Sequence, residues 1–135
     1  MELVIRNNNQ NTIFKISDDS QYLQILITNI VQFDCSSSNL TLLPFITDSL
    51  QILICRNNQI TSLPKLPNSL IKLDCSNNQI TSLPKLPNSL QKLYCQFNIL
   101  TMIPELPRTL LTLYCDVNNF IRKRKYKYLI KIICM

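Results

Sequence analysis

Residues 57–70, Asn-Asn-Gln-Ile-Thr-Ser-Leu-Pro-Lys-Leu-Pro-Asn-Ser-Leu, recur letter for letter at 77–90. This copy, offset by twenty residues, constrains the fold more than any other feature. A chain repeating with a period of about 20–50 residues stacks units, each burying its apolar face against its neighbours. Weaker copies keep the offset. Cysteines stand at Cys35, Cys55, Cys75, Cys95 and Cys115, and Leu-Pro or Ile-Pro pairs end at Pro44, Pro64, Pro84 and Pro104. The five units run 30–49, 50–69, 70–89, 90–109 and 110–121, inside a single domain of 135 residues.

Aligned on the cysteine, a unit reads Leu-x-x-Leu-x-Cys-x-x-Asn-x-Ile-Thr-x-Leu-Pro-x-Leu-Pro-x-Ser. In the copy that starts at Leu70, the apolar Leu73 and Cys75 alternate with Lys72 and Asp74, the period of a strand. One short strand per unit gives a parallel sheet with neighbours about 4.8 Å apart. Leu73 and Cys75 then point inward and Lys72 and Asp74 outward. The return path is no regular helix, because Pro64, Pro67, Pro84 and Pro87 lack amide donors and push the residues before them into extended conformations. Polyproline II suits it. Each central unit supplies about six inward aliphatic positions, worth roughly 1.5–3 kcal/mol apiece when fully buried.

This consensus, with Leu73, Cys75, Asn78, Ile80, Leu83, Pro84, Leu86 and Pro87, resembles the leucine-rich repeat pattern. Its length and its Leu-Pro-x-Leu-Pro segment are similar to the shortest subclass, known from bacterial effector proteins, and similar arrays occur in giant-virus proteins. The family usually has Ala, Val or Leu where this chain has Cys. The resemblance covers residues 30–121. It implies a repeat solenoid with a short parallel β-sheet on its concave face and extended convex segments, helix being confined to a C-terminal cap. It also implies a non-catalytic module that binds a protein or peptide. The ubiquitin-ligase activity of some related effectors resides in a separate catalytic domain after the repeats and is not carried over to this chain.

Asn58, Asn78, Asn98 and Asn118 sit where the chain leaves the strand. An amide side chain donates and accepts, so stacked copies can satisfy the turn's backbone groups. The first unit has Ser38 there, and its turn is expected to be less well tied. With no Gly in the chain, turns needing positive φ are expected to fall mostly to Asn.

Composition removes several chemistries. Without His there is no Ser-His or Cys-His pair and no His-based zinc site. Without Gly there is neither a P-loop nor a dinucleotide fingerprint. The cysteines mark a repeat position rather than a C-x-x-C metal spacing, and they read as reduced core thiols. The expectation is no enzyme, no cofactor, no metal and no small-molecule substrate. No run approaches the ~18 apolar residues of a membrane span. The start, Met-Glu-Leu-Val-Ile-Arg-Asn, lacks a charged region followed by an apolar one. An intracellular, cytoplasmic monomer is expected, with the nucleus as the alternative address.

Residues 1–29 fit the repeat poorly and read as a degenerate repeat plus an N-terminal cap. Strands are expected around Ile13, Phe14 and Ile16 and over Tyr22–Ile27, with a loop at Asn7, Asn8, Asn9 and Asn11. Residues 122–135 form a basic C-terminal cap or tail. There Arg122, Lys123, Arg124, Lys125, Lys127 and Lys131 carry the whole net charge of +6. As a helix the tail would gather Ile121, Tyr128, Leu129, Ile132 and Ile133 near one face. Three readings fit: a cap with a solvated basic face, an import address or nucleic-acid patch, or a segment on an anionic membrane.

The outward columns hold the candidate site. They read Gln32, Ile52, Lys72, Lys92, Thr112; then Asp34, Ile54, Asp74, Tyr94, Tyr114; and after the cysteine Ser36, Arg56, Ser76, Gln96, Asp116. These columns vary between units while the inward ones do not, as a scaffold with a composite surface requires. Ile54, Arg56, Lys72, Asp74, Lys92, Tyr94, Phe97 and Tyr114 are the expected partner-binding residues, with Tyr94 and Tyr114 adjacent and Phe97 close by.

Overall fold

The computed structural model describes residues 2–7, 10–15, 30–43, 46–115 and 118–119. Among the described residues seven strands form one sheet: β1 (Glu2–Asn7), β2 (Gln10–Lys15), β3 (Gln32–Asp34), β4 (Ile52–Ile54), β5 (Lys72–Asp74), β6 (Lys92–Tyr94) and β7 (Thr112–Tyr114). Their order is β2-β1-β3-β4-β5-β6-β7. Strands β3 to β7 are parallel and in register at the repeat, Phe33 facing Leu53, Leu53 facing Leu73, and so on to Leu113. The expected repeat solenoid is thus the observed fold, and no described residue is helical.

The alternation places the core as expected. Leu53, Leu73 and Leu93 and their cysteines Cys55, Cys75 and Cys95 are fully buried, while the residues between them are half-exposed. The core continues without a break from Ile30 to Cys115. Between strands, residues 59–66 and 79–86 take neither helix nor strand, which follows from two prolines per unit. At the end of each return path the amide of Leu70, Leu90 or Leu110 donates to the carbonyl of Pro67, Pro87 or Pro107. Leu50 makes the same bond to Thr47. The turn uses the carbonyl, not the ring, so Thr47 can stand where later units have proline.

Two side-chain ladders tie the units together. The Asn78 Nδ2 donates to the carbonyls of Cys55 and Cys75 at 3.0 and 3.1 Å, and its Oδ1 accepts from the Ile60 amide at 3.0 Å. Asn58, Asn98 and Asn118 repeat the pattern. Each asparagine closes the turn of the preceding unit. The first turn is therefore held by Asn58, which accepts from the amides of Ser38 and Leu40, and the looseness expected from Ser38 is not found. The second ladder runs along the other corner. Ser69 Oγ donates to the Asp48 and Leu50 carbonyls, Ser89 to Leu70, and Thr109 to Asn88 and Leu90.

The N-terminal segment departs from its sequence reading in part. Ile13 and Phe14 lie in a strand as expected, but Asn7 and Asn11 do too, in an antiparallel hairpin that pairs Asn7 with Gln10 and Arg6 with Asn11. Strand β1 also pairs antiparallel with β3. Partners across a ladder can hold polar residues in extended chain, overriding their turn preference. The hairpin covers the edge of β3 that the first repeat would otherwise leave open. The expected strand at Tyr22–Ile27, Ile16 and the C-terminal cap lie outside the described residues.

Positive φ falls on Asn39, Asn57 and Asn77 as expected, and also on Ser37 and Phe97. Residues 37, 57, 77 and 97 occupy one repeat position, so the turn imposes a left-handed residue there whatever the side chain.

Candidate functional site

Strands β5, β6 and β7 bring the expected site residues together on the outward face of the sheet. In register, Lys72 stands beside Lys92, Asp74 beside Tyr94, and Tyr94 beside Tyr114. The tyrosine rings are stacked, their centroids 5.2 Å apart and their planes at 9°. The Lys72 ammonium lies 5.6 Å from the Tyr94 centroid, within cation–π range. Strand order sets Lys72 and Tyr114 on opposite sides of Tyr94. Ile54, Lys72, Tyr94 and Tyr114 are half-buried; Arg56 and Lys92 are exposed.

Not every expected residue is free to bind. Asp74 Oδ1 accepts from the Ser76 amide and hydroxyl at 3.2 and 2.7 Å, and Asp34 does the same with Ser36. These carboxylates brace the chain as it leaves the strand. Ser76, read as an outward residue, is buried beneath this bond. Residues 122–127 of the basic tail, Arg122, Lys123, Arg124, Lys125 and Lys127 among them, lie outside the described residues.

Phe97 stands apart. It is 50 % exposed at φ 55°, where the preceding units have Asn77, Asn57 and Ser37. A bulky side chain in the left-handed region is disfavoured by about 1–2 kcal/mol. Two further apolar residues escaped the sequence reading. Ile99 and Met102 are exposed where units two and three carry Gln59, Gln79, Ser62 and Ser82. The signal was available: among near-identical units, the fourth differs at surface positions and keeps its core.

The five described cysteines are buried, and none of them is in a disulfide. Burial first, and the charge of Asp34 second, push the Cys35 thiol up to about 12. Cys55 and Cys75 are also raised well above 9.0, by burial and then by the neighbouring cysteines. Such thiols are poor nucleophiles and behave as small core residues.

A family model described as Leucine Rich repeats (2 copies) matches residues 48–88 and again 68–108. The chain belongs to the leucine-rich repeat proteins. Its similarity to solved structures points to the short-repeat, bacterial-effector-like form. The leucine-rich repeat domain of a Shigella effector is 35 % identical, with a TM-score of 0.69 over 76 % of this chain and 47 % of that one. YopM from Yersinia enterocolitica WA-314 is 33 % identical, with a TM-score of 0.60 over 67 % of this chain and 22 % of that one. The chain thus spans about half the length of the Shigella domain and a smaller share of YopM. No curated protein matches it. Leucine-rich repeat domains generally bind proteins, and the outward sheet of this one is the concave face of the array.

Proposed function

We propose that this leucine-rich repeat chain is a non-catalytic interaction module that binds a protein or peptide through the concave face of its last three strands, β5 to β7. The observation that carries the reading is the Tyr94–Tyr114 stack, capped by Lys72. Aromatic and cationic groups held rigid on an exposed sheet lose little freedom on binding, which is why such residues dominate interface energetics. Phe97 supports it. Its left-handed backbone costs free energy that an asparagine would not, a cost of the kind that concentrates at binding sites. A reducing, intracellular compartment suits the buried, unoxidised thiols.

The test is affinity capture from cells of the source organism with three proteins: wild type, Tyr94→Glu/Tyr114→Glu, and a tail variant with Arg122, Lys123, Arg124 and Lys125 changed to Gln. Circular dichroism verifies that all three fold. A protein held by wild type and by the tail variant, and lost from the tyrosine variant, supports the concave face. Capture that survives the tyrosine variant and fails in the tail variant moves the site to the basic tail.

A further inference from the structure

Lys72 and Lys92 are register partners on adjacent parallel strands, which lie about 4.8 Å apart. Like charges directly across a sheet repel. Among the described residues neither ammonium has a carboxylate partner. Asp74, two residues from Lys72, points its Oδ1 at Ser76 instead. The face therefore holds two cations side by side next to an aromatic stack, with no neutralising carboxylate on them among the described residues.

We propose that the partner supplies that group: an acidic peptide segment, its carboxylate seated between Lys72 and Lys92 and a neighbouring apolar side chain resting on the edges of the Tyr94–Tyr114 stack. This rests on the concave-face reading above. An acidic peptide fits better than a nucleic acid, because the Tyr94 ring is already stacked on Tyr114 and in contact with the Lys72 ammonium, which competes with stacking of a base there.

The probe is a fluorescein-labelled peptide, Glu-Glu-Glu-Tyr-Glu-Glu-Glu, beside its all-Gln counterpart, titrated with the full chain at low salt and followed by fluorescence anisotropy. The Glu peptide is expected to bind at least tenfold more tightly. Lys72→Gln/Lys92→Gln is expected to remove that preference, and the Arg122–Lys125 tail variant to keep it. Equal affinity for the two peptides, binding of neither, or stronger binding of labelled oligothymidine overturns the proposal. A Tyr94→Ala/Tyr114→Ala variant separates the two readings. If the peptides bind equally and this variant abolishes both, acid recognition falls and the concave face stands. If Glu-peptide binding survives it and disappears in the tail variant, the concave face falls as well.

Discussion

The side-chain amide of Asn78 donates to the carbonyl of Cys55, twenty-three residues earlier, while its oxygen accepts from the amide of Ile60. One buried side chain thereby satisfies both ends of a turn to which it does not belong. Asn78→Ala leaves the buried Ile60 amide without its acceptor and takes one of two donors from each of the Cys55 and Cys75 carbonyls, which is expected to cost about 2–4 kcal/mol. Asn78→Asp should be no better, since an ionised carboxylate would face two carbonyls with nothing to donate. Urea unfolding monitored by circular dichroism measures both.

Phe97→Asn restores the residue that units two and three use at the left-handed position. It is expected to stabilise the fold by about 1 kcal/mol, read as a higher urea midpoint, and to weaken capture of the partner. A stability gain with unchanged capture would remove Phe97 from the site.

Thr47→Pro imposes on the first unit the residue found at Pro67, Pro87 and Pro107. The Leu50 amide keeps its acceptor because the carbonyl remains. Restricting the unfolded chain should add about 0.4–1 kcal/mol, offset in part by losing the Thr47–Ser49 hydroxyl contact. The urea midpoint reports the balance.

Alkaline pH should unfold the array through its thiols. The raised values of Cys35, Cys55 and Cys75 mean that the folded chain holds protons which the unfolded chain releases above about pH 9. Stability is therefore fully present below that pH and declines above it, for Cys35 until about pH 12. Each such thiol lowers stability by about 1.4 kcal/mol per pH unit in that window. Urea midpoints between pH 8 and 11, compared with Cys75→Ala, isolate the contribution; the variant should show a shallower decline.

The solenoid, its strand register and its inward columns were legible because a sequence period translates directly into a lattice. The Tyr94–Tyr114 contact was legible for the same reason: residues twenty apart must be neighbours. What periodicity does not carry was missed. The hairpin of β1 and β2 repeats nothing, and its asparagines mimic a loop. Ser76 has the same offset as the exposed Arg56, yet it is buried and folded back onto Asp74, two residues earlier. The left-handed Phe97 could not be foreseen from propensity, since the turn that imposes it is specified by the rest of the unit.

Each asparagine of the ladder bonds the turn of the unit before its own, and Ser69 and Thr109 likewise reach back to a carbonyl of the preceding unit. A turn is completed by residues that leave the ribosome some twenty positions afterwards, so each repeat waits on its successor during synthesis. The same polarity suits growth by gene duplication. An inserted copy brings the side chains that lock the repeat before it, and its own turn is locked by the repeat that already followed. The identical residues at 57–70 and 77–90 are the kind of scar such an insertion would leave.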